Sequence, residues 1–356
     1  MMRTTTTTGS SAMGPDDSIP FLKIHAGEEE ERALIEVARS KWWTAGEKTR
    51  QLEAAFAQYV GARHALFVSS ATEALYLAYE SLGLKHQTFK VPSLTFTATA
   101  AEVLHSGNRV EFIDVDRQTI CATGRHAGPL VTVHYGGNRS EAQGDVVVED
   151  SAHLIARDQC RGSRSLVCFS LAYSKNISAG EGGVIATNDD NVHQWLLRAR
   201  AFGMDRFGLL NSTEHPDWPY SVEFPGWKGN ATDFQAALGL VQLAKLDRIN
   251  ERRRVIVEQY NRELGYRWQG VHLYPIFVED RVRLLRGMKE ARIQCSVHYI
   301  PLHWMPAYRE CARQDLRNTE WLGKHLVTIP LYPDLTDDDV QRVVTTAKRF
   351  GPLIAP

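Results

Sequence analysis

The sequence predicts an α/β layered protein built on a mainly parallel sheet. From residue 52 onward, short runs of Val, Ile, Leu and Phe alternate with longer helical segments. Several runs are continuously apolar rather than alternating, the pattern of strands covered on both faces. The 356 residues leave room for two domains or so at roughly 150 residues each. With 41 Lys+Arg against 42 Asp+Glu and a net charge of −1, the chain lacks the basic excess of a general nucleic-acid binder.

Other classes are excluded on similar grounds. No apolar run approaches the ~18–20 residues that span a bilayer, and a signal peptide's apolar core is missing, so a membrane role is not expected. The five cysteines, Cys121, Cys160, Cys168, Cys295 and Cys311, are odd in number and form no CxxC pair. That argues against a disulfide framework or zinc knuckle, predicts no metal site, and fits a reducing cytoplasm.

The elements follow in order. Residues 1–18, with the run Thr4 to Thr8, have almost nothing to bury and are expected to form a disordered tail. Glu28 to Glu31 open a helix continuing through Val37 and Ala38; the acids suit a solvated helix N-terminus. Ala65 to Val68 is a predicted strand, Ser69 to Thr72 a turn, and Glu73 to Leu82 a helix with Ala74, Leu75, Ala78 and Leu82 on one face. Arg109–Val115, Leu130–Val133, Asp145–Val148, Ser165–Phe169 and Val184–Ala186 are further predicted strands. A long helix runs from Thr232 to about Leu264, and its Arg252-Arg253-Arg254 cluster suits a solvated face. Beyond Gly265, predicted strands at Val271–Phe277 and Gln294–His298 and helices at Arg281–Ala291 and Asp337–Phe350 suffice for a smaller α+β domain. The expected division is a tail at 1–18, a large domain at 19–247 and a small domain at 248–356.

In such folds ligands bind beyond the carboxyl ends of the strands, and three segments there carry chemistry. Ser69-Ser70-Ala71-Thr72 opens a helix with small residues, where backbone N–H groups and the helix dipole suit either a phosphate or a plain N-cap. Val147-Val148-Glu149-Asp150 ends an apolar strand in an acid, which is costly unless it meets a cation or donor. A pyridinium N–H is such a partner, and a salt-bridged Asp is the bland alternative. Phe169-Ser170 leads through Ser174-Lys175-Asn176 to Gly180-Glu181-Gly182-Gly183, a place where backbone passes close to a ligand and a lysine can be made nucleophilic, a solvated charge being the commoner reading of a lone loop lysine.

Taken together with Trp43-Thr44-Ala45-Gly46, Val91-Pro92-Ser93-Leu94-Thr95-Phe96, Val133-His134-Tyr135-Gly136-Gly137, Glu149-Asp150-Ser151-Ala152-His153, Gly226 to Ala237, His298-Tyr299-x-Pro301-Leu302-His303 and Pro330-Leu331-Tyr332-Pro333, these motifs make the chain resemble a known family. It is similar, from about Phe21 to about Val344, to the DegT/DnrJ/EryC1/StrS sugar-nucleotide aminotransferases. Those are enzymes of aminotransferase fold type I that depend on pyridoxal 5′-phosphate (PLP). The Lys-x-Asn form at Lys228 to Asn230 looks most like the branch that makes 4-amino-4-deoxyarabinose-type sugars.

The resemblance implies a large domain with a mainly parallel seven-stranded-type sheet and a smaller α+β carboxyl-terminal domain. It implies that Lys175 holds PLP covalently and then moves the substrate proton, that Asp150 pairs with the pyridine nitrogen, and that Phe96 stacks on the ring with His153 nearby. Ala71, Thr72 and Ser170 would cradle the phosphate, completed by Asn230 from a partner subunit in a homodimer with shared sites. Trp43, Lys228, His298 and His303 lie where the family builds its sugar-nucleotide pocket; packing or dimer contact is the plainer reading of Trp43 and the His298–His303 segment. The implied reaction moves an amino group from L-glutamate to a 3-keto or 4-keto sugar nucleotide. A keto-cyclitol acceptor and a PLP-binding regulator are the alternatives. One departure from the family stands out: between Asp116 and Asp150 a crossover helix is reduced to a loop.

Overall fold

The computed structural model describes residues 17–205, 220–351 and 353–356. The expected disordered tail lies outside the described residues except at 17 and 18. There it is corrected: the Asp17 carbonyl accepts a hydrogen bond from Arg342 (2.6 Å) and Ile19 bridges to Ile293, so the chain is already tied to the fold at Asp17.

Two helices lead the chain, α1 (Glu28–Ser40) and α2 (Glu47–Val60). Then come β1 (His64–Val68), α3 (Ala71–Ser81), β2 (Thr88–Pro92), α4 (Thr97–His105), β3 (Arg109–Ile113), β4 (Pro129–Val133), β5 (Val146–Asp150), β6 (Leu166–Ser170), β7 (Gly183–Thr187) and α5 (Asp190–Ala199). A small hairpin, β8 (Met204–Asp205) with β9 (Ser221–Val222), precedes α6 (Asp233–Leu264). The remainder holds β10 (Tyr274–Phe277), α7 (Arg281–Glu290), β11 (Ala312–Arg313), α8 (Arg317–His325), β12 (Leu326–Ile329) and α9 (Asp337–Phe350). Among the described residues no helix lies between β3 and β5, only a single 3-10 turn at Tyr135–Gly137, as the shortened loop implied.

The main sheet has eight strands in the order β1-β7-β6-β5-β4-β2-β3-β11. Its seven amino-terminal strands match the number the resemblance implied, although β2 was not among the six runs read there as strands from the sequence; the eighth, β11, arrives from the carboxyl-terminal part to pair in parallel with β3. Only β7 runs against its neighbours β1 and β6. Both sheet faces are covered, and the period of two divides the side chains between them. Leu66, Val68, Val91, Phe112, Val131, Val148 and Cys168 pack with α3 and α4 on one side; Ala65, Phe67, Val167, Phe169 and Val184 pack with α2 and the first half of α6 on the other. A separate core joins the second half of α6 (Ile256, Val257, Tyr260, Leu264) to β10, β12, α7 and α9. The boundary expected after 247 thus falls within one continuous helix of 32 residues.

Three sequence expectations differ in detail. Gln294–His298 forms no strand; Ser296 makes only a bridge to Thr328, and the antiparallel partner of β10 is β12. The acidic start of α1 is not wholly solvated: Glu30 is buried and its carboxylate meets Lys245 of α6 at 2.9 Å. Burial opposes its ionisation, but the Lys245 ammonium, the Gly27 N–H and Gln242 outweigh that and draw the carboxyl down to about 2. The arginine cluster is not a uniform solvated face either, because Arg253 is buried and donates to the Asn176 carbonyl (3.2 Å).

Candidate active site

Strands β2, β4, β5 and β6 are parallel, and β1 joins them in direction through the antiparallel β7 between β1 and β6. Their carboxyl ends therefore share one edge, where a crevice is expected. Ser70, Ala71 and Thr72 follow β1, Thr95 and Phe96 follow β2, Val133 ends β4, Asp150 ends β5 ahead of Ala152 and His153, and Ser170 ends β6 ahead of Ala172, Ser174 and Lys175. With Leu75, Ala98, Glu181, His298 and Tyr299 they line a cavity of about 350 Å³.

Asp150 is 6% exposed. One carboxylate oxygen accepts from Thr99 Oγ1 at 2.7 Å and the other from the Ala152 N–H at 3.1 Å. Thr99 is itself met by Thr95 Oγ1 at 2.9 Å. Both of those bonds come from neutral donors, which leaves lone pairs for a cation. Lys175 stands in the same cavity, held by a turn in which its N–H donates to the Ala172 carbonyl (3.0 Å). Burial pushes its ammonium down to about 8, with the charge of Asp150 working the other way. An amine so depressed is partly neutral near pH 8 and can act as a nucleophile.

The helix-terminal segment is built for an anion. Ser70 caps α3 by accepting the Glu73 N–H at 3.1 Å, while the first N–H groups of a helix have no intrahelical partner. Ser70 also lies hard against β7: a Cβ added at Gly183 would fall 2.2 Å from the Ser70 carbonyl oxygen. Only glycine permits that approach, which brings the helix start beside Ser170 through the Ser170–Gly183 pair.

The opposite wall is aromatic. His153 is buried; its Nδ1 accepts from the Gly136 N–H at 3.2 Å and its Nε2 lies 3.0 Å from Tyr299 Oη. Burial, then the charges of Lys175, His272 and His298, hold His153 well below the usual histidine range. His298 stacks on Phe21 at 5.1 Å, with its Nδ1 2.7 Å from Thr328 Oγ1, and burial lowers it to about 4. Phe96 is 55% exposed, its ring 5.9 Å from that of Tyr299.

The cavity thus brings together Ala71, Thr72, Phe96, Asp150, His153, Ser170, Lys175 and His298. Four other expected residues lie outside its lining. Trp43 is exposed against Phe234 (5.9 Å), and Lys228 Nζ sits 5.7 Å over the Phe202 ring. Asn230 bridges to Val68 at the end of β1, beside the cradle but not in it. His303 is buried, with Nδ1 2.7 Å from Ser93 Oγ and Nε2 3.7 Å from Glu320, an arrangement that fastens the 301–303 turn to the end of β2. Sequence reasoning missed Tyr299 and Thr99 as individual residues. Thr99 had a usable signal, lying four residues after Thr95 on one helix face.

Residues 25–348 match the DegT/DnrJ/EryC1/StrS aminotransferase family. The chain belongs to that family. An uncharacterized protein of Methanocaldococcus jannaschii is 29% identical over 379 residues, covering 93% of this chain and 97% of its own. Among solved structures, a candidate sugar aminotransferase of Streptococcus pneumoniae in its pyridoxamine phosphate (PMP) form matches with TM-score 0.82 at 24% identity, over 93% of this chain and 98% of that one. Helicobacter pylori PseC, an aminotransferase involved in the biosynthesis of pseudoaminic acid, matches with TM-score 0.81 at 22% identity, over 94% and 99%. S. venezuelae DesV matches with TM-score 0.80 at 24% identity, over 93% and 98%. These likenesses show that the fold is that of aminotransferase fold type I.

The aminotransferase is therefore an enzyme, with PLP as its cofactor. Its cavity fits that group. Asp150 suits a pyridinium N–H, the start of α3 and Ser170 suit a phosphate, and Lys175 offers an amine. Among the described residues no His/Cys/Asp/Glu cluster could hold a metal ion, and no helix is long and apolar enough to cross a membrane.

Proposed function

We propose that this aminotransferase moves an amino group from L-glutamate to a keto sugar carried on a nucleoside diphosphate, at C3 or C4 of a hexose or pentose. The observation that carries the reading is the convergence of Lys175, Asp150, Ser170 and the α3 start on one cavity of about 350 Å³. The solved sugar aminotransferases of the same fold support the sugar class, and the Lys228-x-Asn230 form supports the 4-amino-4-deoxyarabinose-type branch.

PLP, when bound, supplies an electron sink for charge on the carbon attached to the amino nitrogen. Each other role belongs to the chain. Lys175 would hold the cofactor covalently and, once the amino group of the substrate displaces it, would be free to move the substrate proton as general acid and base. Asp150, oriented by Thr99 and the Ala152 N–H, keeps the pyridine nitrogen protonated. Phe96 covers a ring face. Ala71 and Thr72 N–H groups and the Ser170 hydroxyl hold the phosphate, joined by Asn230 of a partner subunit in a homodimer. Trp43, Lys228, His298 and His303 belong to the surroundings of the sugar nucleotide. A net charge of −1 gives no long-range pull on a diphosphate, so local cations such as Lys228 must supply it.

The test is a two-stage reaction. PLP-loaded protein mixed with L-glutamate should lose its yellow colour as PMP forms, and a nucleotide 4-keto or 3-keto sugar should restore it. No response to glutamate would overturn the donor. Restoration by a keto-cyclitol in strong preference to nucleotide sugars would overturn the acceptor.

A further inference from the structure

We propose that Tyr299 is a hydrogen-bond donor into the cavity, held in that role by His153 and the Gly136 peptide. The donated proton is for an acceptor oxygen of the bound cofactor or of the amino-acid substrate. The substrate arm rests on the function proposed above; the cofactor arm does not.

The direction of the proton follows from the hydrogen bonds. A backbone N–H can only donate, so the Gly136 N–H at 3.2 Å makes His153 Nδ1 an acceptor. A neutral imidazole carries one proton, which must then sit on Nε2. Tyr299 Oη, 3.0 Å from Nε2, accepts it. The tyrosine's own proton is left over, and among the described residues it has no acceptor. Tyr299 lines the cavity beside Asp150, Lys175 and Phe96, so that proton is available to whatever the cavity holds.

The relay is anchored outside the cavity. The Gly136 carbonyl accepts from the His272 N–H (2.9 Å) and the Leu273 N–H (3.2 Å), which fixes Gly136 through the peptide that follows it. Gly136 has φ 62°, and a Cβ there would meet Trp268 at 2.7 Å; only glycine combines that backbone with that contact. The His272 ring packs on His153 with centroids 4.4 Å apart. A second proton on His153 would set Nδ1–H against the Gly136 N–H. With Lys175, His272 and His298 also nearby, His153 stays neutral, and burial keeps the Tyr299 phenol protonated.

His153 is on this reading a positioning residue, and Tyr299 the group that touches ligand. Tyr299→Phe is the first test, read on PLP-loaded protein without substrate. A shift of about one pH unit or more in the colour transition of bound PLP supports the proposal with the cofactor as acceptor. An unchanged transition, with a tenfold or larger loss in the single-turnover rate with L-glutamate, supports it with the substrate as acceptor. No change in either overturns it. His153→Leu should reproduce the Tyr299→Phe effect and add nothing to it in the double variant, while His153→Gln, which keeps a donor near the Nε2 position, should recover part of it. Full additivity of the two would overturn the relay. If wild-type protein ignores glutamate, the donor assignment fails while the spectral arm still decides Tyr299.

Discussion

On the proposed function, Lys175 and Asp150 divide the work of the site through their surroundings. Lys175 titrates near pH 8 because burial outweighs the pull of Asp150. Only its neutral form attacks, so the rate at which cofactor-free protein captures PLP should climb as pH rises from 7 to 9 and level off above. Stopped-flow absorbance checks this, and a flat profile would contradict it. Lys175→Ala should reduce glutamate-dependent PMP formation by on the order of 10³-fold or more. Thr99→Val removes one of the two hydrogen bonds on Asp150 and should cost about 1–2 kcal/mol of PLP binding, read as a rise in Kd. Both principal residues were legible in the chain, because a strand-end acid and a lysine beside a glycine return are local patterns. Tyr299 was not: its part depends on His153, which lies 146 positions away in sequence, and on a glycine peptide that carries no side chain to notice. The setting of His303 was not legible for a similar reason, since its partner Ser93 is 210 residues away.

At the scale of elements, two contacts can be tested separately from catalysis. A methyl at Gly183 would collide with the Ser70 carbonyl, so Gly183→Ala should destabilise by about 1–3 kcal/mol and weaken PLP binding, as a lower melting temperature and a higher Kd. Glu30 ties α1 to Lys245 of α6. Its carboxyl is depressed from 4.5 to about 2, so ionisation of Glu30, with Lys245, Gln242 and the Gly27 N–H together against burial, contributes at most about 3 kcal/mol. A group with a lowered native pKa stabilises above its unfolded value and loses that effect as pH falls through the native one. Urea unfolding of Glu30→Gln should therefore trail wild type at pH 7 and converge with it between about pH 4.5 and pH 2. Helices with caps and periodic faces were well marked, and α9 matches its expected bounds. Short strands near prolines were not: β12 has four residues and precedes Pro330, too little pattern to outweigh the turn signals around it.

For the whole molecule, the proposed sharing of sites has a direct check. Lys175→Ala and Asn230→Ala chains, inactive apart, should recover about a quarter of wild-type activity when mixed at random as dimers; no recovery in demonstrably mixed dimers would place each site within one chain. The overall architecture was readable because alternation of covered strands and helices leaves few layered solutions. The path of α6 was readable too, though not what it joins. Its first half belongs to the core beneath the sheet and its second half to the carboxyl-terminal core. At 32 residues it is a strut of ~48 Å without an internal proline. A beam clamped at both ends resists hinging, so the two cores should keep their relative placement, and with it the distance between the strand ends and the Tyr299 wall, whether or not the cavity is filled.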